Sequence, residues 1–431
     1  MEFDRIILGD SPKANYSSDC SETGINNNII VCAGTGGGKT MSVTEPRLLN
    51  TYNSSLVVTC TKHRIVDKYK SVFEKRGYNV LELDFTKPER CNTSFDPIKY
   101  VSNHIDVKFL ASSIVMANSR KASSSADPFW DDSSTSLLSA LILLVTNKNP
   151  DATIADVVEK FRDMEIYDDD DELRTSYDTD FRYLELDDPG NPALAHWKTF
   201  KIAPCKTARC IYSTLSSSMD LFFTENILKT VQLFDTVNFR DIADKKTILF
   251  ITTSAVNPGA NYFVNMFYSQ LFKELFEYGE SRPDGKLPRP VSVIADDFAT
   301  GSRILNFPEY ISIFREKLIS VTLLLQSETQ LSGMYGNEDA VSIINNCDTY
   351  VYMGGMDLKT CSNISVRANL PMEDILNMPV GQELIFRRGQ KPLKTKRYNI
   401  LEDDNYKQIT AEYETIFSSS ANDKEKNDLR A

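Results

Sequence analysis

The sequence is short of the features that mark several protein classes. Its longest strongly apolar run, Leu137 to Val145, is nine residues long, about half of the roughly 20 that a helix needs to cross a bilayer. No membrane-spanning helix is therefore expected. The first residues, MEFDRIILGDSPK, are acidic and poor in apolar residues, unlike a secretory signal. Three histidines, His63, His104 and His196, lie far apart with no metal spacing. Eight cysteines show no zinc spacing, and Cys205 and Cys210 are too loosely spaced for a CxxC pair. Reduced thiols in a cytosolic setting are expected. Basic charge is also in deficit: 48 Lys and Arg face 60 Asp and Glu, a net −12. That argues against a protein that coats nucleic acid with its whole surface. The excess is local, because residues 165–188 hold eleven carboxylates against Arg174 and Arg182. A basic strip or pore lining elsewhere is compatible with this balance. The acidic run reads first as a solvated loop, with a docking patch for a basic partner as the alternative.

What is present suffices for a large fold. At 431 residues the chain exceeds one ordinary core, so two or three units are expected. Short β-branched runs at 28–33 (NIIVCA), 56–59 (LVVT) and 78–83 (YNVLEL) read as strands. Between the last two, Ile65 to Arg76 has apolar residues near helical spacing and Gly77 as a stop. This strand–helix–strand alternation predicts parallel α/β structure. From about residue 105 to 232 the pattern turns helical. Helices are expected over 104–119, 129–146 and 196–223, and Thr153 caps another, with Asp156 three residues on. Asp127-Pro128 marks a turn. Strands return at 247–252, 291–295, 319–325, 350–353 and 383–386. A long amphipathic helix over 261–278 presents Phe263, Phe267, Leu271 and Leu275 on one face. The expected division is 1–104 and 233–414 for a nucleotide-binding unit, 105–232 for a helical insertion, and 415–431 for a charged, flexible tail.

Residues 33–40 read AGTGGGKT. They fit the phosphate-loop pattern GxxxxGK(S/T) with Ala33 in place of the first glycine, between a strand and a helix. Glycines let main-chain N–H groups approach phosphate oxygens without a Cβ in the way. The following helix offers its positive end to the same charge. The candidate nucleotide cradle is Gly34, Thr35, Gly36, Gly37, Gly38, Lys39, Thr40 and Met41. Lys39 supplies charge at the β- and γ-phosphates, and Thr40 a hydroxyl for Mg²⁺. ATP and Mg²⁺ are the expected cofactors.

Such a loop needs a carboxylate at the end of a neighbouring buried strand. The run VSVIADD, residues 291–297, offers one. In an extended segment its adjacent aspartates point to opposite faces. Asp296 then serves Mg²⁺ while Asp297 leans toward the attacking water.

With these residues in place, the chain resembles the type IV secretion coupling proteins, the TraG/TraD-like conjugative DNA-transfer ATPases. The resemblance runs from about residue 5 to 400. It rests on NIIVCAGTGGGKTMSVTEPRLL, DPFWDDSSTSLLSALILLV, ADDFATGSRILNFPEYISIFREKLISVTLLLQSETQL and NNCDTYVYMGG, in that order. It implies an α/β fold, a RecA-like P-loop NTPase domain with an inserted all-α domain. It further implies a hexameric ATPase that moves DNA, single-stranded and with its attached relaxase, into a type IV secretion channel. Two more residues follow from the family's motifs. Arg315 falls where the family carries an arginine that reaches the neighbouring subunit's site, and Gln326 where it has a γ-phosphate-sensing glutamine. An exposed ion pair for Arg315 and a strand-end polar role for Gln326 remain the plain alternatives.

Three departures qualify the likeness. The family commonly has Asp-Glu where this chain has Asp296-Asp297, so reach to a water is shorter by one methylene. The strand after the phosphate loop often ends in Asp-Pro-Lys-Gly-Glu, but here Cys60-Thr61-Lys62-His63-Arg64 follows, and no role is assigned to it. Many members begin with membrane-spanning helices. The expectation here is a cytoplasmic position, peripheral to the bacterial membrane through channel subunits or a separate anchor protein. Two alternatives stay open: a coupling ATPase for protein effectors, and an adaptor that binds ATP with little hydrolysis. Trp130 and Trp197 are expected in the core of the helical region. The basic stretch 387–397 faces either a DNA backbone or blunts an edge strand.

Overall fold

A computed structural model describes residues 2–116, 128–169, 172–254 and 259–415. Side chains alternate along each strand, and here both faces are apolar. In β1 (Ile29–Cys32), Ile29 and Val31 join one core with Leu48, Tyr69 and Phe73. Ile30 and Cys32 join the other, with Phe263, Phe267 and Leu271. β2 (Ser55–Cys60), β3 (Asn79–Asp84) and β4 (Thr247–Thr252) follow. β5 (Val291–Ala295), β6 (Ile319–Leu325) and β7 (Thr349–Tyr352) complete the parallel set. Double-sided burial is what parallel strands require. β8 (Gln382–Arg387) and β9 (Leu393–Lys396) add an antiparallel hairpin at one edge. Among the described residues this main sheet has the spatial order β9-β8-β7-β1-β6-β5-β2-β4-β3. Each strand foreseen in the sequence is present, with ends shifted by a residue or so.

Helix α1 (Arg64–Lys75) joins β2 to β3. Gly77 stops it at φ +76°, a left-handed pose glycine adopts without a Cβ clash. Between β3 and β4 the chain leaves the sheet for a helical region. It contains helices His104–Val115, Phe129–Lys148, Ile154–Arg162, Pro192–Lys201 and Cys205–Phe222. Thr153 and Asp156 form the expected capping box. Residues 117–127, including Asp127 of the expected turn, and 416–431, nearly all of the expected tail, lie outside the described residues. Helix α2 (Gly259–Glu280) crosses back over the sheet, with Phe263, Phe267, Leu271 and Leu275 fully buried. No helix among the described residues is long and apolar enough to cross a membrane.

Two sequence expectations change here. The acidic stretch is not a plain loop. Ile166–Asp169 pairs with Glu172–Thr175 as a hairpin, and Asp178–Asp187 is a helix; Asp170 and Asp171 lie outside the described residues. Leu173, Phe181 and Leu184 give the stretch a buried face. Lysines from other helices pair with two of its acids: Lys201 lies 2.9 Å from Asp178, Lys148 2.8 Å and Lys160 3.1 Å from Asp180. Asp178 and Asp180 also sit in the first helical turn, where negative charge is favoured. Of the tryptophans, Trp197 is buried and stacks on Phe181 at 4.0 Å. Trp130 is 38% exposed, in the first turn of its helix beside exposed Phe129.

Candidate functional site

The parallel strands carry their C-terminal ends to one edge, where such sheets hold ligands. Four neighbours, β1, β6, β5 and β2, deliver the phosphate loop, Gln326, Asp296 with Asp297, and Thr61 with Lys62. All of these line one cavity of about 350 Å³. Its walls include Thr35 through Met41; Gly34, the residue before them, is not part of the lining. The residues singled out in the sequence therefore meet, with one exception.

The loop is pinned from below. Ala33 N–H donates to Leu325 O at 3.1 Å, Gly34 N–H to Gly354 O at 3.0 Å, and Gly37 N–H to Gly34 O at 2.9 Å. Close approach explains Gly37, because a Cβ there would lie 2.7 Å from the Gly34 oxygen. Gly36 and Gly38 have φ of +70° and +80°. Lys39 Nζ donates to Ala33 O at 2.9 Å, curling over the loop. The helix that follows begins with a π-helical turn, Thr40–Thr44, before Glu45–Leu49. Such wide turns recur at functional sites.

The acids differ from expectation in one respect. The strand ends at Ala295, and Asp297 has φ +50°, so the pair does not continue as extended chain. Asp297 N–H donates to Asp296 Oδ1 at 3.1 Å, and Thr300 Oγ1 to Asp297 O at 2.7 Å. This tight turn replaces strand alternation in separating the two carboxylates. Burial, then the neighbouring Asp297, pushes the Asp296 carboxyl up to about 6, while Lys39 pulls it down. A poorly solvated carboxylate beside a second acid, in a cavity that Thr40 also lines, is a fitting donor for a hard divalent cation. With the glycine cradle, the residues present suit a magnesium-bound nucleotide.

Gln326 follows β6, and its Oε1 accepts from Thr35 Oγ1 at 3.4 Å. It thus touches the phosphate loop. Arg315 is the exception. It ends helix α3 (Phe307–Lys317), which leads into the opposite end of β6. There it is exposed and donates to Cys20 O at 3.1 Å. It is not part of this chain's own cavity.

Several wall residues went unassigned in the sequence. Thr61, Lys62 and Arg64 line the cavity, although the segment departs from the family pattern; its place after β2 is the signal the sequence offers. Glu45 also lines it, buried and held at 3.1 Å by both Lys68 and Tyr69. In the basic stretch, Arg387 donates to Ala14 O and Arg388 pairs with Asp348 at 3.2 Å. Lys394 and Lys396 are exposed on β9, the sheet's edge, which fits the edge-strand alternative.

Comparison with known proteins follows the same lines. The profile of the family described as type IV secretory system conjugative DNA transfer matches residues 7–368. A conjugal transfer protein TraG of Rhizobium radiobacter is 22% identical over 413 residues, covering 85% of this chain. The chain spans 61% of that relative's length. Among solved structures, the bacterial conjugative coupling protein TrwB in its trigonal form with sulphate is similar at TM-score 0.66 and 16% identity. That match covers 86% of this chain and 85% of the other. TrwB solved with ADP and Mg²⁺ gives TM-score 0.65 at 16% identity, with the same coverage of each chain. VirB4 of Thermoanaerobacter pseudethanolicus gives 0.52 at 13% identity, covering 91% and 96%. These likenesses establish the fold as α/β, a RecA-like nucleotide-binding domain with a helical domain. Taken with the loop, the acids and the parallel sheet that joins them, the profile match over most of the chain shows that it belongs to the type IV secretory system conjugative DNA transfer family.

Proposed function

We propose that the protein is an ATP-hydrolysing coupling protein that recruits DNA, with its attached relaxase, and moves it to a type IV secretion channel. The observation that carries this is the convergence of the phosphate loop, Asp296, Asp297 and Gln326 on one cavity. Lys39 and the loop N–H groups bind and orient the phosphates. Thr40 and Asp296 hold Mg²⁺, which neutralises charge on the β- and γ-oxygens when bound. Asp297 accepts a proton from the attacking water, and Gln326 reports the γ-phosphate to the loop through Thr35. Arg315, on the far edge of the sheet, serves the site of a neighbouring subunit in a hexamer; a planar guanidinium suits the spread charge of the transferring phosphoryl group. Contact with the membrane is made through channel subunits or an anchor partner.

The test is ATP hydrolysis with and without single-stranded DNA. Wild type should be stimulated by DNA. Lys39→Ala should lose turnover by roughly two orders of magnitude or more, as removal of a transition-state charge partner does. Hydrolysis in Lys39→Ala equal to wild type would refute the reading. Stimulation by a protein substrate but not by DNA would move the assignment to effector delivery. The left-handed turn and short reach of Asp297 favour one further reading, a nucleotide-binding adaptor with slow hydrolysis. Single-turnover rates in Asp297→Glu separate the two, since a marked gain would mark the natural residue as a brake.

A further inference from the structure

In the sequence, Arg397 stands out only as one of a run of basic residues. Its three side-chain hydrogen bonds all go to main-chain carbonyls. Nη1 donates to Gly37 O at 2.5 Å, Nη2 to Met353 O at 2.5 Å and Nε to Gln382 O at 3.3 Å. The first is a peptide of the phosphate loop, the second follows β7, and the third starts β8. The side chain is part-buried and lies outside the cavity walls, whereas Gly37 and Gly38 form part of them. A Cβ on Gly38 would stand 3.1 Å from Nη1.

A trans peptide points its C=O and N–H in opposite directions. Holding the Gly37 oxygen against Arg397 therefore turns the Gly38 N–H away from the guanidinium. Glycine peptides have little preference of their own, so this orientation needs an external hold. The preceding peptide has a different one, the bond from Gly37 N–H to Gly34 O. The β8–β9 hairpin has its own ladder, Gln382 opposite Lys396 through Ile385 opposite Leu393. It does not need Arg397 to stay paired.

We propose that Arg397 is a positioning residue for phosphate binding: by anchoring the Gly37 carbonyl behind the loop, it aims the Gly38 N–H at the phosphates of a bound nucleotide. This rests on the nucleotide-binding reading above and adds to it a group that never touches the ligand. The fork geometry matters as well as the charge, because one guanidinium spans the loop and the end of β7 at once.

The test uses the full chain as wild type, Arg397→Lys and Arg397→Gln, titrated with the Mg²⁺ complex of a non-hydrolysable ATP analogue. Amide hydrogen exchange is followed in parallel over 34–41 and 382–396. Wild-type binding is the control; its absence would sink the nucleotide reading rather than this one. The expected result is affinity weaker by roughly ten- to a hundredfold in both variants, the scale of losing a charge-assisted hydrogen bond. Exchange should quicken in the loop and stay unchanged in the hairpin. In turnover assays KM should rise with kcat held, the mark of lost uniform binding. Wild-type affinity in Arg397→Lys would overturn the proposal, since charge alone would then suffice. So would equally quickened exchange through 382–396, which would make Arg397 a fold staple.

Discussion

Glu383, on β8, is fully buried, and among the described residues neither of its carboxylate oxygens has a hydrogen-bond partner. Burial pushes its carboxyl up from the usual 4.5 to about 8, with Arg397 pulling the other way. A raised folded-state value means stability is fully present below the unfolded value and lost as pH rises through the folded one. Wild type should therefore weaken between about pH 4.5 and 8 relative to Glu383→Gln, by roughly a few kcal/mol. Melting temperatures of the two proteins across that range check this; parallel curves would contradict it. No sequence pattern announced this residue, because a carboxylate in an edge hairpin reads as exposed. Gly9 packs onto it, where a Cβ would come within 2.6 Å of Oε1. Asp296, by contrast, was legible, since an acid at the end of an apolar run follows from strand burial alone.

Helix α2 shows what an element contributes. Phe267 sits between Phe95 at 4.9 Å and Phe239 at 5.0 Å, all three fully buried. Phe267→Ala should lower unfolding free energy by about 3–5 kcal/mol, read as a shifted denaturation midpoint. A loss below about 1 kcal/mol would mean the site collapses around the gap. This helix and the parallel strands were readable because their periodicity is local. The hairpin at 166–175 was not, because the lysines that offset its neighbouring acids come from other helices. Arg397 was equally hidden, since its contact with Gly37 spans 360 residues of sequence.

At the scale of the molecule, Arg315 and the cavity lie at opposite edges of one sheet. If subunits share sites, Lys39→Ala and Arg315→Ala should each be inactive alone yet complement when mixed. Random co-assembly into a ring leaves roughly a quarter of the interfaces with both residues intact, so about that fraction of DNA-stimulated turnover should return. No recovery in demonstrably mixed oligomers would place Arg315 outside catalysis.

Strand β6 stands between β1, which leads into the loop, and β5, which leads into Asp296. Neighbouring strands keep a spacing of about 4.8 Å, so their ends are held roughly 10 Å apart. The sheet thereby acts as a gauge block. The loop and the acid are tied to one frame, one strand's width on either side of β6.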